Sequence, residues 1–237
     1  MYFYGFDWTY LVLVLPCLIF SMIASSWVKS TFRRYSQQFS ARRITGAEAA
    51  QRVLRMNGVS GVQIQQIAGS LTDHYDPSTN VIRLSEDVYG STSTAAIGVA
   101  CHEAGHAVQY AKAYAPIRLR AAIIPITNIG SKLAMPLILI GILLTYLGNF
   151  SYTLIYLGIA CFALSTLFQL VTLPVEFNAS HRAMRAIEDG ELLTRDEIAG
   201  ARKTLTAAAM TYVAALAASL AQLLRLLILF GGNRRRN

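Results

Sequence analysis

Charge is scarce in this chain. Asp, Glu, Lys and Arg make up only 14% of its 237 residues, against about 25% in an average soluble protein. With 54% of the residues hydrophobic, much of the chain cannot face water, which excludes an ordinary soluble globular protein. Cysteine is also sparse. Cys17 and Cys161 lie in apolar runs and Cys101 stands alone, so neither a disulfide framework nor a cysteine-rich metal knuckle is available. No internal repeat and no low-complexity linker is visible. No Lys or Arg precedes the first apolar run, whereas Asp7 does, and this disfavours a cleaved signal peptide. The net charge of +8 comes from Lys and Arg placed mainly between apolar stretches, not clustered on a base-reading module. It therefore points to a membrane surface and away from nucleic acid.

What is present fits a mainly α, multi-pass membrane protein with a small α+β region. At about 1.5 Å per residue, the apolar stretch 8–28 is long enough to cross a bilayer core of about 30 Å. It reads as an uncleaved anchor with an external N-terminus, because Lys29, Arg33, Arg34, Arg42 and Arg43 follow it. From Thr45 the composition turns soluble. Thr45 and Glu48 form a capping box, and Asn57-Gly58 ends that helix. The β-branched runs 62–67 and 80–84, separated by the turn Asp76-Pro77-Ser78, predict a small sheet. A helix is expected to start near Ser91 to Thr94 and to run to about Ala113, closed by Pro116. Residues 45–116 thus form one soluble region. Two spans, roughly 132–147 and 152–175, follow as an antiparallel hairpin, and 121–131 either extend the first or lie at the interface. Residues 176–206 are polar again, with Gly190 ending one helix and Thr194 to Glu197 capping the next. The last run, 207–230, is a transmembrane or interfacial helix. Lys and Arg number eleven from Lys29 to Arg120 and five from Arg182 to Lys203, so both soluble segments are expected in the cytoplasm.

The chemistry is concentrated in His102-Glu103-Ala104-Gly105-His106. Histidines spaced i, i+4 project from one helix face a turn apart and can share one ion, and zinc favours such nitrogen ligands. Glu103, beside the first of them, is placed to take a proton from an attacking water and deliver it to a leaving amine. Gly105 costs about 1 kcal/mol of helix stability relative to Ala, which predicts close packing of another group there.

Three runs, Leu71-Thr-Asp-His-Tyr-Asp-Pro77, Arg83-Leu-Ser-Glu-Asp-Val-Tyr89 and Ala95 through His102 to Gln109, together resemble the bacterial membrane-bound neutral zinc metallopeptidases of the YugP type. The resemblance covers roughly 57–116, with a second patch around 171–183. It implies a zincin-like protease of the bacterial cell membrane with one zinc per chain. The second patch, Glu176-Phe-Asn-Ala-Ser180, is similar to the Glu-x-x-x-Asp element of the HtpX and CAAX-prenyl protease groups, which supplies the third metal ligand. Here Ser180 stands where those relatives carry an Asp that orients a ligand histidine.

Zinc needs one more protein donor after the two histidines. The sequence offers Glu176, His181, His74, Asp73, Asp76, Glu86 and Asp87. Glu176 is favoured, because the hairpin returns the chain to the side of the motif helix and a desolvated carboxylate there calls for a cation. His181 lies about 500° further round a helix, hence about 140° away from Glu176. His181, Ser180 and His74 stay as candidates for supporting or transition-state contacts. Run 80–84 is a candidate edge strand for an extended substrate, Cys101 is taken as a core residue and Arg225 as a snorkelling one. The expected function is a membrane-embedded zinc endopeptidase acting on peptides or membrane proteins. A silent scaffold and a transporter are the rival classes. The first is disfavoured by the presence of all four site residues, the second by spans that hold few ionisable residues beyond Lys132 and Arg225.

Overall fold

A computed structural model of the chain describes residues 7–231. After a π-helical start at Tyr10–Val14 comes α1 (Leu15–Tyr35), then α2 (Gly46–Met56), β1 (Gln63–Ile67), β2 (His74–Asp76), β3 (Val81–Ser85), α3 (Glu86–Tyr89), α4 (Thr94–Ala111), α5 (Ala115–Leu143), α6 (Asn149–Asp189) and α7 (Arg195–Gly231). Four of these stretches, Tyr10–Tyr35, α5, α6 and α7, are long and apolar enough to cross a membrane. The fold is mainly helical, with one small sheet.

The chain divides into two compact units. One comprises 24–118 and 173–211 and contains α2 to α4 with the sheet. Its helix starts follow the sequence. Thr45 accepts from the Glu48 amide while the Glu48 carboxylate accepts from the Thr45 amide, closing the capping box, and Asn57 caps α2 before Gly58 at φ 68°. Ser93 caps α4 through the Ala96 amide. Glu197 accepts from the amides of Thr194 and Ala41, which ties the start of α7 to the segment before α2.

The sheet has the order β1-β3-β2, with β1 parallel and β2 antiparallel to β3. Run 80–84 is therefore not an edge strand. Both sides of β3 are already paired, so no substrate strand can add to it, and its mostly buried side chains fit that central position. The helix carrying the motif ends at Ala111, capped by Lys112, with Ala113 at φ 49°. Pro116 falls in the first turn of α5, where a missing amide proton costs nothing, so it opens the next helix and does not close this one.

Small side chains let α4 lie close to its neighbours. A Cβ on Gly98 would sit 3.2 Å from the Ala201 Cβ, and one on Gly105 would sit 2.8 Å from the Ala179 carbonyl oxygen. The close packing expected at Gly105 is thus found, with α6 as the partner. Around α4 the core gathers Val53, Leu54, Ile82, Leu84, Val88, Ile97, Val108, Ala183 and Ile187.

The other unit comprises 1–23, 119–172 and 212–237. Residues 121–131 extend α5 and do not form a separate segment. Gly148 at φ 59° turns the chain into α6. Gly141 and Gly158 bring α5 and α6 together, since a Cβ on either would meet backbone at about 3 Å or less, 2.9 Å at Ser151 O and 2.8 Å at Ala134 O. The core of this unit is small, formed by Ile138, Ile155, Ile159 and Leu226. Large apolar side chains such as Met22, Ile126, Leu143 and Leu157 remain on its surface.

α6 runs unbroken through Pro174 from Asn149 to Asp189. The change from apolar to polar sequence at Glu176 accordingly falls within one helix and is not a helix end.

Candidate metal centre

α4 presents His102 and His106 on one face, one turn apart, and α6 lies against that face at the Gly105–Ala179 contact. That approach brings Glu176 to the two imidazoles. Its Oε2 lies 3.3 Å from His102 Nε2 and 3.5 Å from His106 Nε2. One potential ligand atom from each of the three residues lies within 4.8 Å of the others. Bonds of about 2.0–2.1 Å to a tetrahedral zinc separate neighbouring ligand atoms by about 3.3–3.4 Å. The two separations from Glu176 match that edge, so these residues fit a single ion of zinc's size.

The electrostatics agree. Glu176 is only 2% exposed, and a carboxylate so far out of water needs a cation or donors. At His106, burial pulls the imidazole pKa down, but the hydrogen bond to Glu176 and the charges of Glu103 and Glu176 outweigh it, leaving the group above its ordinary value.

The ring nitrogens that face away from Glu176 are also engaged. His102 Nδ1 lies 3.1 Å from Ser180 Oγ, and His106 Nδ1 lies 3.0 Å from Gln109 Oε1. Holding Nδ1 in this way aims Nε2 at a metal. Ser180, considered from the sequence as a supporting residue, thus lies within hydrogen-bond distance of His102. Gln109 and Asn178, whose amides bond each other at 3.0 Å, were not singled out from the sequence. Gln109 sits three residues after His106 on the same helix face, and that spacing is the signal that could have found it.

Glu103 is buried at 8% exposure beside the histidines, and its charge acts on both His106 and Asp73. The remaining candidates are engaged elsewhere. Asp73 accepts from the Ser85 amide and hydroxyl, and Asp76 pairs with Arg83 at 2.8 Å and bonds Ser78 and Thr79. Glu86 and Asp87 open α3 and line a cleft with Lys29 and Arg33. His74 is exposed, with Nδ1 2.9 Å from Thr72 O, and is not drawn to the cluster. His181 is exposed on α6 and lines a groove of about 400 Å³ with Ser180, Met184, Leu205 and Met210. Cys101 is fully buried core, burial raises its thiol pKa strongly, and it is not among the three residues whose ligand atoms converge. Arg225, taken as a snorkelling residue, pairs with Asp7 and lies over the Tyr10 ring.

Residues 10–231 match the sequence pattern of a family described as "Putative neutral zinc metallopeptidase". A curated protein of Bacillus subtilis (strain 168), "Putative membrane protease YugP", is 44% identical over 228 residues, covering 96% of this chain and 99% of that protein. No solved structure gives a significant match.

Proposed function

The chain belongs to the family described as "Putative neutral zinc metallopeptidase", and from that premise we propose that it is a membrane-embedded zinc endopeptidase. In this reading His102, His106 and Glu176 hold one zinc ion per chain and Glu103 moves the proton. The observation that carries it is the convergence of the Glu176 carboxylate on two imidazole Nε2 atoms at 3.3 and 3.5 Å.

When bound, zinc supplies a Lewis acid that activates water and polarises the scissile carbonyl. The Glu103 carboxylate accepts a proton from the attacking water and passes it to the leaving amine nitrogen. Burial of Glu103 limits competing solvent there, and the Gly105–Ala179 contact keeps the donors on α4 and α6 in register. The arrangement is zincin-like, with Glu176 in the gluzincin position, and Ser180 takes the part that an Asp plays in HtpX-type enzymes. Substrates are peptides or membrane proteins presented near the bilayer, because four apolar helices hold the chain there. The site-bearing segments carry most of the basic charge and face the cytoplasm of a multi-pass protein in the bacterial cell membrane.

Cleavage of a peptide library by purified Glu103→Gln protein tests the chemistry. Turnover should fall by about 10²- to 10⁴-fold while zinc content is unchanged. Cleavage at the wild-type rate would remove Glu103 from the role of base. The orientation is tested with single cysteines at Ser36 and Glu188 in a cysteine-free background. Neither should react with a membrane-impermeant thiol reagent in intact cells, and labelling at either position would overturn the cytoplasmic placement.

A further inference from the structure

Gln109 is completely buried on α4, and its side-chain amide touches both helices that supply the ligands. Its Oε1 lies 3.0 Å from His106 Nδ1, while its Nε2 donates to the Val175 carbonyl at 2.8 Å and to Asn178 Oδ1 at 3.0 Å. The two ends of an amide have nearly the same shape, so their orientation follows from partners that can act in only one way. A backbone carbonyl only accepts, which puts Nε2 toward Val175. A guanidinium only donates, and Arg182 Nε lies 2.7 Å from Asn178 Oδ1, which holds that oxygen, and with it the acceptor for Gln109 Nε2, in place. Oε1 is then left for His106, and an oxygen acceptor is satisfied there only by a protonated Nδ1. Nε2, the His106 nitrogen that faces Glu176, is consequently the one left to bind a metal.

We propose that Gln109 is a positioning residue whose amide, oriented by the Val175 carbonyl and the Asn178–Arg182 pair, fixes His106 in its metal-binding tautomer and so sets the affinity of the site for zinc. His102 lacks an equivalent device, because the Ser180 hydroxyl can donate as readily as it accepts. The same amide ties α4 to the residue just before Glu176, so one side chain orients one ligand and anchors the helix of another. This inference rests on the zinc reading above, and its test measures metal binding without proteolysis.

The experiment compares full-length wild-type, Gln109→Met and Gln109→Glu proteins in detergent, stripped of metal and titrated with zinc against a chromophoric chelator. Met keeps the length and removes every hydrogen bond, whereas Glu retains an acceptor for His106 Nδ1 but loses donation to Val175 and Asn178. Zinc affinity should fall by about 10- to 100-fold in Gln109→Met and return to within about threefold of wild type in Gln109→Glu. The thermal midpoint of the metal-free protein should drop in both variants. A purely structural role would lower the midpoint and zinc affinity alike in the two, and that result, or unchanged affinity in Gln109→Met, overturns the proposal. Should Gln109→Met fail to fold, Asn178→Ala takes its place. It leaves the amide one anchor short, several-fold weaker zinc binding is expected, and unchanged affinity overturns the proposal equally. A wild-type protein that binds no zinc refutes the peptidase reading itself. Tight wild-type binding without the Gln109 effects refutes only this inference.

Discussion

The two units of the chain differ in what they bury. Among the described residues, every buried carboxylate or imidazole, at Glu103, His106, Glu176 and Glu197, belongs to the unit of 24–118 and 173–211. Among the described residues, the buried polar side chains of the unit of 1–23, 119–172 and 212–237 are hydroxyls alone, at Thr127, Ser151, Thr166 and Thr172. Three of these bond helix carbonyls, at Ile124, Gly141 and Phe162. Both units pack helices through glycine, at Gly105 in one and at Gly141 and Gly158 in the other. Close helix packing is therefore common property of the chain, and it does not mark function. Buried charge is more telling, since such groups persist only where a partner or a metal compensates them: Glu197 is compensated by the Thr194 and Ala41 amides, whereas Glu176 converges on two imidazoles.

Metal removal should separate the units most sharply. A strong chelator is expected to abolish proteolysis altogether and to lower the thermal midpoint, and zinc should restore both, because only the folded site binds the ion. Activity that survives exhaustive chelation would place the chemistry outside the His102–His106–Glu176 cluster.

Glycine substitution comes next in size and bears on both units at once. Adding a Cβ at Gly105 or at Gly158 meets a backbone oxygen at 2.8 Å in each case, so each Ala variant should lose about 1–3 kcal/mol of stability by overpacking. Only Gly105→Ala should also weaken zinc binding, since the displaced carbonyl belongs to Ala179, next to Ser180. Equal zinc affinity in the two variants, measured beside their thermal midpoints, would break the link between this helix contact and the site.

The smallest effect is expected at Asp7, which pairs with Arg225 in the unit without buried ionisable groups. Asp7→Asn should cost about 0.2–1 kcal/mol and leave zinc affinity and turnover unchanged. A loss of bound zinc in that variant would show that the two units share more than their helices.

Much of the site was legible because its chemistry is local. The i, i+4 histidines, the intervening Glu103, the capping box at Thr45 and Glu48 and the helix stop at Asn57-Gly58 are each set within a few residues, and all stand where the sequence put them. Gly105 was legible for a related reason: an uncompensated loss of helix propensity implies a contact, and Ala179 is that contact. The family resemblance stands too, with 44% identity to the YugP protein. The misread features depend on distant partners or on solvent. β2 is three residues long and gives no periodic signal, yet its pairing makes β3 central. The polar change at Glu176 carried no sign that a single helix runs through it, because composition does not report helix ends, and α6 passes Pro174 without ending. Gln109 escaped notice because an amide between apolar neighbours acquires meaning only when α6 supplies the Val175 carbonyl and Asn178.

The central claim is that Glu176 completes a single zinc site with His102 and His106, and quantifying zinc per chain in purified wild-type and Glu176→Ala proteins tests it most directly. The account predicts one zinc per wild-type chain, the same in His181→Ala, and almost none in a folded Glu176→Ala protein; full occupancy in Glu176→Ala would contradict it.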